Sequence, residues 1–342
     1  IGLISYSLYL WHYPILAFDK ISEFSQGDRV NKLLLGIVML FLSIFSYYYI
    51  ERPFRNKKYK FKFLFSIIIV TVFILVFTNF NIIFKNGYKN RLPEILSKNL
   101  SNNQMNLLKN SDGEICHNNI NGCKFNNNLN KKIFIIGDSH MDSIMFDLKE
   151  KIVKNEYQFI TSTFANCIYY PGFNQVNIKT QKINEKCSDN NFKKLKNTLT
   201  SEKNSIIIFG GRFPLYLSGN LFDNQEGDLE IGTIGSDYIS TGAYDTIQNS
   251  FKNEILELSK NNKIILIYPI PEVGANPNSK IYNQWIKNKF FNDLNSEIFT
   301  TSFKLYKDRT KSSFELLDSI RSPNIYRVYP HKLFCGTPIK NR

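Results

Sequence analysis

Apolar positions crowd one end of this chain. Three runs without a formal charge, residues 1–18, 33–50 and 63–84, fall at its start. At about 1.5 Å rise per helical residue, the third run covers roughly 33 Å, enough for a hydrocarbon core of about 30 Å. The first two runs are at the short end of what a span requires. The pattern predicts three transmembrane helices over residues 1–84. Residues 85–130, rich in Asn, Lys and Ser, read as an extracytoplasmic linker that carries a small Cys-closed loop. Beyond them, short apolar runs at 133–136, 159–160, 206–209, 264–267 and 325–328 alternate with amphipathic stretches such as 251–261, where Ile255, Leu256 and Leu258 share a side. Unbroken β-branched runs separated by helical patterns predict an α/β three-layer domain with an open parallel sheet over 131–342. In such sheets ligands sit at the carboxyl ends of the strands.

Charge orients the helices. The chain carries 43 basic and 29 acidic side chains, a net charge of +14. Its densest basic stretch is 51–62, where Arg52, Arg55, Lys57, Lys58, Lys60 and Lys62 face only Glu51. A short loop of that kind stays in the cytoplasm, so the third helix runs outward and everything after about Lys85 lies outside the cytoplasmic membrane. Trp11 and Tyr47, Tyr48 and Tyr49 suit the interface with lipid, or pack between helices. His12, in an apolar helix, calls for a polar partner. The basic excess lacks the clustered Arg-aromatic pattern of a nucleic-acid groove, so no nucleic-acid partner is expected. The start at Ile1, inside an apolar run and without a signal-peptide pattern, reads as a fragment boundary.

The five cysteines agree with an outer location. Cys116, Cys123, Cys167, Cys187 and Cys335 all follow the third apolar run, in a compartment where disulfides persist. Spacing suggests Cys116 with Cys123 and Cys167 with Cys187, although sequence leaves other pairings open. No C-x-x-C or H-x-x-x-H spacing is present, and no metal is expected.

Candidate chemistry concentrates after the first strand of the outer domain. The run 131–136 leads directly into Gly137-Asp138-Ser139-His140 and then a helical pattern over 141–155. A serine on a strand-to-helix turn stands at free N–H groups and the positive end of a helix dipole, which stabilise developing negative charge. Ser139 is therefore the candidate nucleophile. The alternative makes it a helix cap, with Asp142 completing a capping box.

The stretches 4–14 (ISYSLYLWHYP) and 49–55 (YIERPFR) resemble the last part of the membrane domain of acyltransferase family 3. Gly137-Asp138-Ser139-His140 resembles the first block of the SGNH hydrolase-like domain fused to many members of that family. Together the two signatures cover nearly the whole chain in the expected order. The resemblance implies an O-acyltransferase, usually an O-acetyltransferase, acting on an extracytoplasmic cell-envelope glycan such as lipopolysaccharide or another surface polysaccharide. The membrane domain passes the acyl group outward, with acetyl-CoA on the cytoplasmic side as donor. The SGNH domain needs no cofactor and delivers the acyl group to a sugar hydroxyl through a serine acyl-enzyme. The expected partners are membrane lipid and the glycan acceptor, and the location is the cytoplasmic (inner) membrane, multi-pass.

Carried over by residue, the match is partial. Ser139 takes the nucleophile's place, with its own N–H as one oxyanion donor. The third block falls at Gly210-Gly211-Arg212-Phe213, without the Asn of hydrolytic relatives; Arg212 is a candidate for an oxyanion or a glycan, or else a solvent-facing loop residue. The second block, near 163–167, lacks its usual Gly, and Asn166 is the candidate there. Asp138, Gly211 and Asn166 complete the expected substrate contacts. The family's Asp-x-x-His, the source of the general base, does not occur in this sequence. It is expected beyond Arg342, with His331 the alternative base, and the family's early membrane helices are likewise absent. The chain by itself is therefore expected to be inactive. An envelope esterase or deacetylase and a non-catalytic glycan-binding domain are the other readings.

Overall fold

A computed structural model describes residues 2–22, 25, 29–55, 61–91, 107–225, 229–230, 235–274, 280–282, 284–285 and 300–335. The chain divides into two compact units, Ile1–Ser101 with Asn278–Glu297, and Asn102–Pro277 with Ile298–Arg342.

The first unit is helical. Helix α1 spans Ser5–Ser22 and contains Pro14. Helix α2, Arg29–Ser46, runs on through a π-helical turn at Tyr47–Glu51 into α3, Arg52–Arg55. Helix α4 spans Phe61–Phe84. Among the described residues, two segments are long and apolar enough to cross a membrane, Arg29–Arg55 and Phe65–Phe84. The first apolar run forms a helix but is not a third such segment. Of the stretch read as a cytoplasmic loop, 51–55 and 61–62 are helical, while 56–60 lie outside the described residues. His12 finds its polar contact within its own helix, Nδ1 to the Tyr9 carbonyl at 2.5 Å.

The second unit is an α/β domain around a six-stranded sheet in the order β1-β3-β2-β5-β7-β8. Its strands are β1 (Cys123–Phe125), β2 (Lys132–Gly137), β3 (Gln158–Thr163), β5 (Ile206–Gly210), β7 (Lys263–Ile267) and β8 (Ile325–Val328). A separate antiparallel pair joins β4 (Phe173–Asn177) to β6 (Ser236–Ser240). β2 pairs in parallel with β3 on one side and β5 on the other, and β7 and β8 continue in parallel. β1 runs antiparallel to β3, so the sheet is mixed, not wholly parallel as expected. The extra strand comes from the stretch read as linker. Its few apolar side chains show no strand pattern, because Leu108, Cys116 and Cys123 are scattered among Asn and Lys, yet all three are buried. The earlier part of that stretch, 92–106, lies outside the described residues.

Both faces of the sheet are covered, which is why β2 is apolar at four consecutive positions, Ile133 to Ile136. Ile133 and Ile135 point into one core with Met141, Met145 and Ile152 of helix α5 (Ser139–Lys154). Phe134 and Ile136 point the other way, into a core with helix α6 (Asp189–Ser201), contributing Phe192 and Leu199, and helix α8 (Ile247–Leu258), contributing Phe251, Ile255 and Leu258. Successive strand residues face opposite sides, so a strand covered on both has no polar position to spare. The remaining helices are α7 (Phe213–Ser218), α9 (Phe303–Ser319) and α10 (His331–Phe334). Two disulfides, Cys116 to Cys123 and Cys167 to Cys187, pair as the spacing suggested, and Cys335 is free.

Candidate active site

β2 is the point where the chain's path through the sheet reverses: β3 is added on one side of it and β5 on the other. At such a switch, neighbouring strands send their following loops apart, and a crevice opens beyond their carboxyl ends. Two turns line it, Gly137-Asp138-Ser139 after β2 and Gly210-Gly211-Arg212 after β5, with Gly137 and Gly210 directly paired in register.

Close packing of these turns selects their glycines. Gly137 has φ +157°, and a Cβ there would stand 2.1 Å from the Gly210 carbonyl oxygen. At Gly211, φ +154°, a Cβ would meet Ile168 Cδ1 at 2.9 Å and Asp138 Cγ at 3.2 Å. The absence of a side chain at Gly211 leaves room for Ile168 and, beside it, the Asp138 carboxylate.

Asp138 joins the two turns. It is 1% exposed, and its Oδ1 accepts the His140 N–H at 2.8 Å. Its Oδ2 accepts the Arg212 N–H at 2.8 Å and the Tyr216 hydroxyl at 2.9 Å. A buried carboxylate needs such donors to repay its lost hydration. Burial, with Asp138 close by, pushes the Tyr216 hydroxyl well above its ordinary range, so it stays a donor. Asp138 is thus the helix cap, and the capping-box alternative for Ser139 fails: Ser139 is the first residue of α5, outside the cap, and exposed. His140's N–H is taken by Asp138 Oδ1, and those of Met141 and Asp142 go to the Asp138 carbonyl. Ser139 therefore presents its hydroxyl to solvent at the helix N-terminus, where its N–H has no partner within the helix.

The other expected residues fare differently. The segment after β3 lies beside this turn, tied by the Phe164 N–H to the Gly137 carbonyl at 3.0 Å. There Asn166 is exposed with φ 54°, the left-handed conformation that Asn tolerates better than most residues. Arg212, read as a cation for an oxyanion or glycan or as a solvent-facing residue, is neither free nor solvent-facing. Its guanidinium holds Glu230 at 2.9 and 2.5 Å and Glu272 at 2.6 Å, and its side chain is 17% exposed. Glu272 in turn binds Arg309 at 2.5 Å. Arg212's hydrogen bonds, with burial opposing them, pull the Glu230 carboxyl down to about 2.

His331 follows β8, three strand positions from β2, or roughly 14 Å at about 4.8 Å per strand. Its ring packs among Phe303, Tyr306, Phe314 and Tyr329, and its buried Nδ1 has no hydrogen-bond partner. Burial and the neighbouring Lys332 lower its affinity for a proton. This is an aromatic niche away from Ser139, which counts against His331 as its base.

Several participants were not singled out in the sequence: Tyr216, Glu230, Glu272, Arg309 and His117. His117 alone had a visible signal, its place in the Cys loop, and it lies against α5, with Nδ1 3.9 Å from Asp142 Oδ1. Among the described residues no His, Cys, Asp and Glu cluster suits a metal ion.

Known proteins resemble this chain at three levels. The model of the SGNH domain fused to AT3 domains matches residues 109–341, a span that takes in the Cys loop and β1. Curated relatives include the O-acetyltransferase OatA of Staphylococcus aureus strains NCTC 8325 / PS 47 and COL. Each is 43% identical over 65 residues, 18% of this chain and 10% of the relative, so the match spans about a tenth of those proteins. Among solved structures, the periplasmic domain of a lipopolysaccharide acetyltransferase from Salmonella ser. Paratyphi A aligns over 70% of this chain and 81% of its own, at 17% identity and a TM-score of 0.42.

Proposed function

The chain belongs to the family of SGNH domains fused to AT3 domains, and on that premise we propose that it is the outer part of an O-acyltransferase, in its simplest form an O-acetyltransferase, that esterifies a hydroxyl of a cell-envelope glycan. The single observation that carries this reading is Ser139. It is an exposed hydroxyl on the first residue of a helix, at the switch point of the sheet, on a turn braced by a fully satisfied buried carboxylate.

The chemistry follows from that placement. Attack of Ser139 Oγ on an acyl carbonyl forms an oxyanion, which the Ser139 N–H and the helix N-terminus stabilise. Collapse expels the donor's leaving group and leaves an acyl-serine. A sugar hydroxyl then attacks the acyl-serine, a general base takes its proton, and collapse breaks the bond to Ser139, which regains that proton as the sugar ester leaves. The Asp-x-x-His pair of the family would be that base. Arg212, clamped by Glu230 and Glu272, serves in this reading to hold the turn after β5 in place, and Asp138 and Gly211 shape the floor of the site.

The outer location is supported by two disulfides, which persist where the medium is oxidising. Two apolar helices and the basic stretch at Arg52–Lys62 support a membrane-anchored chain with its second unit outside the cytoplasm. Membrane lipid and the glycan are then its partners, and acetyl-CoA in the cytoplasm is the donor for the whole protein.

The test is Ser139→Ala in the whole protein that contains this chain. Ester-linked acetyl on the envelope glycan, read by mass spectrometry of released polysaccharide, should disappear while thermal unfolding is unchanged. Undiminished acetylation would move the chemistry into the membrane domain. Acyl release to water alone, with no dependence on a glycan acceptor, would favour an esterase.

A further inference from the structure

Where the Cys loop meets α5, two side chains form a contact that the acyl-transfer chemistry above leaves unused. His117 Nδ1 lies 3.2 Å from Thr163 Oγ1 and 3.9 Å from Asp142 Oδ1. Both side chains are nearly closed off, at 12% exposure for His117 and 5% for Asp142. Asp142 Oδ1 is a buried oxygen without a hydrogen-bond partner. A carboxylate in that state is unfavourable unless a cation stands close.

The surroundings fix this pair. The Cys116–Cys123 disulfide closes the loop that bears His117. Asn118 secures it against the strand end: its N–H binds the Thr163 carbonyl at 2.9 Å, and its Oδ1 accepts the Ala165 N–H at 2.8 Å. Thr163 ends β3 directly opposite Gly137. Asp142 is in the first turn of α5, three residues after Ser139, and residues at that spacing share a helix flank. A charged carboxylate at this end of a helix also favours the dipole.

Among the described residues, His117 is the charged group that acts on Asp142. Burial raises the Asp142 carboxyl, and the His117 charge works in the opposite direction. The other elements packed there present groups that do not titrate in this range: the Thr163 hydroxyl from β3 and, 3.8 Å from it, the Met145 sulfur from α5.

We propose that His117 is a positioning residue for Ser139: through Asp142 and Thr163 it seats the first turn of α5 against the end of β3 and thereby aims the Ser139 hydroxyl and N–H. This rests on Ser139 being the nucleophile. When Asp142 is ionised, the His117 ring beside it offsets the cost of its burial and holds the turn onto the strand end. When Asp142 takes up a proton as the pH falls, that attraction is lost and the hydrogen bonds to Thr163 and Ala165 remain. The reactivity of Ser139 therefore has an acid limb set by Asp142, which burial moves up and His117 moves down.

The test follows the rate at which a fluorophosphonate modifies Ser139 in the full chain in detergent, from acid to neutral pH, located by peptide mass spectrometry. His117→Asn keeps an N–H donor where Nδ1 stands but cannot carry charge. Its rate at neutral pH should stay within about twofold, and its acid limb should move to higher pH, because Asp142 has lost its opposing charge. His117→Ala should slow labelling about tenfold through loosened aim. Should His117→Ala fail to fold, by near-ultraviolet dichroism, His117→Asn decides alone. An acid limb in His117→Asn that coincides with the unsubstituted chain, while Ser139→Ala takes no label, overturns the positioning role and leaves the nucleophile in place. Label on a different residue, persisting in Ser139→Ala, removes the nucleophile and the proposal with it.

Discussion

The two turns that frame the site are built alike and end differently. β2 leaves the sheet through Gly137-Asp138-Ser139 into α5, and β5 leaves it beside that turn through Gly210-Gly211-Arg212 into α7. Both rely on glycines where a side chain has no room, and both are bonded to the same Asp138 carboxylate. Yet the first turn leaves Ser139 exposed, while the second delivers Arg212 into a ladder with Glu230, Glu272 and Arg309. An exposed hydroxyl and a clamped guanidinium thus arise from the same local design. What separates them is whether distant loops supply partners.

The comparison can be broken at its tightest point first. Gly137→Ala sets a Cβ against a backbone oxygen at 2.1 Å, which cannot move without shifting β5. It should cost about 3 kcal/mol, at the upper end for overpacking, in urea unfolding of the chain in detergent. Arg212→Ala takes the paired guanidinium from Glu230 and leaves Glu272 with Arg309 alone. Because the cluster is partly solvated, a loss of about 2 kcal/mol is expected, below the roughly 3 to 5 of a fully buried pair.

The same substitution carries a pH signature. Glu230's carboxyl is held at about 2 against an ordinary 4.5, so it binds its proton less readily folded than unfolded. Its stabilising contribution is complete above about pH 4.5 and is lost as the pH falls towards 2. Stability measured across that window should fall less steeply in Arg212→Ala than in the unsubstituted chain.

Gly211→Ala sharpens the contrast between the turns, since the nearest obstacle is the tip of the Ile168 side chain, which can turn aside. A loss of about 1 to 2 kcal/mol, smaller than at Gly137, is expected from the same unfolding curves. An equal loss at both positions would show the two turns to be equally rigid. Thr246→Ala, which removes the cap that accepts the Asn249 N–H at the start of α8, should cost about 1 kcal/mol and leave Ser139 labelling unchanged.

Much of the fold was legible along the chain because burial on both faces makes a strand apolar at consecutive positions, as at Ile133, Phe134, Ile135 and Ile136. The same rule hid β1. An edge strand needs only part of its surface covered, and Cys123-Lys124-Phe125 alternates buried, exposed and half-buried, as a loop might. In the site, Ser139 was legible because a strand, a glycine turn and a helix follow one another within ten residues. Arg212's fate was not, since Glu230, Glu272 and Arg309 lie 18, 60 and 97 positions away in the chain. His331 misled for the opposite reason: its position after the last strand suited a base, but the face of α9 offers it rings instead of a serine.

Sequence by itself determined the apolar helices, the alternation of strands and helices, the disulfide-bearing second unit and the Gly-Asp-Ser turn, because each depends on residues close together along the chain. Tertiary structure decided which charges are spent and which remain available. It tied Arg212 to carboxylates from remote loops, put His331 among aromatic rings, and brought His117 to the helix that begins with Ser139. Electrostatic and hydrogen-bond partners are chosen by distance in space, and that distance is set only when the sheet has closed its order.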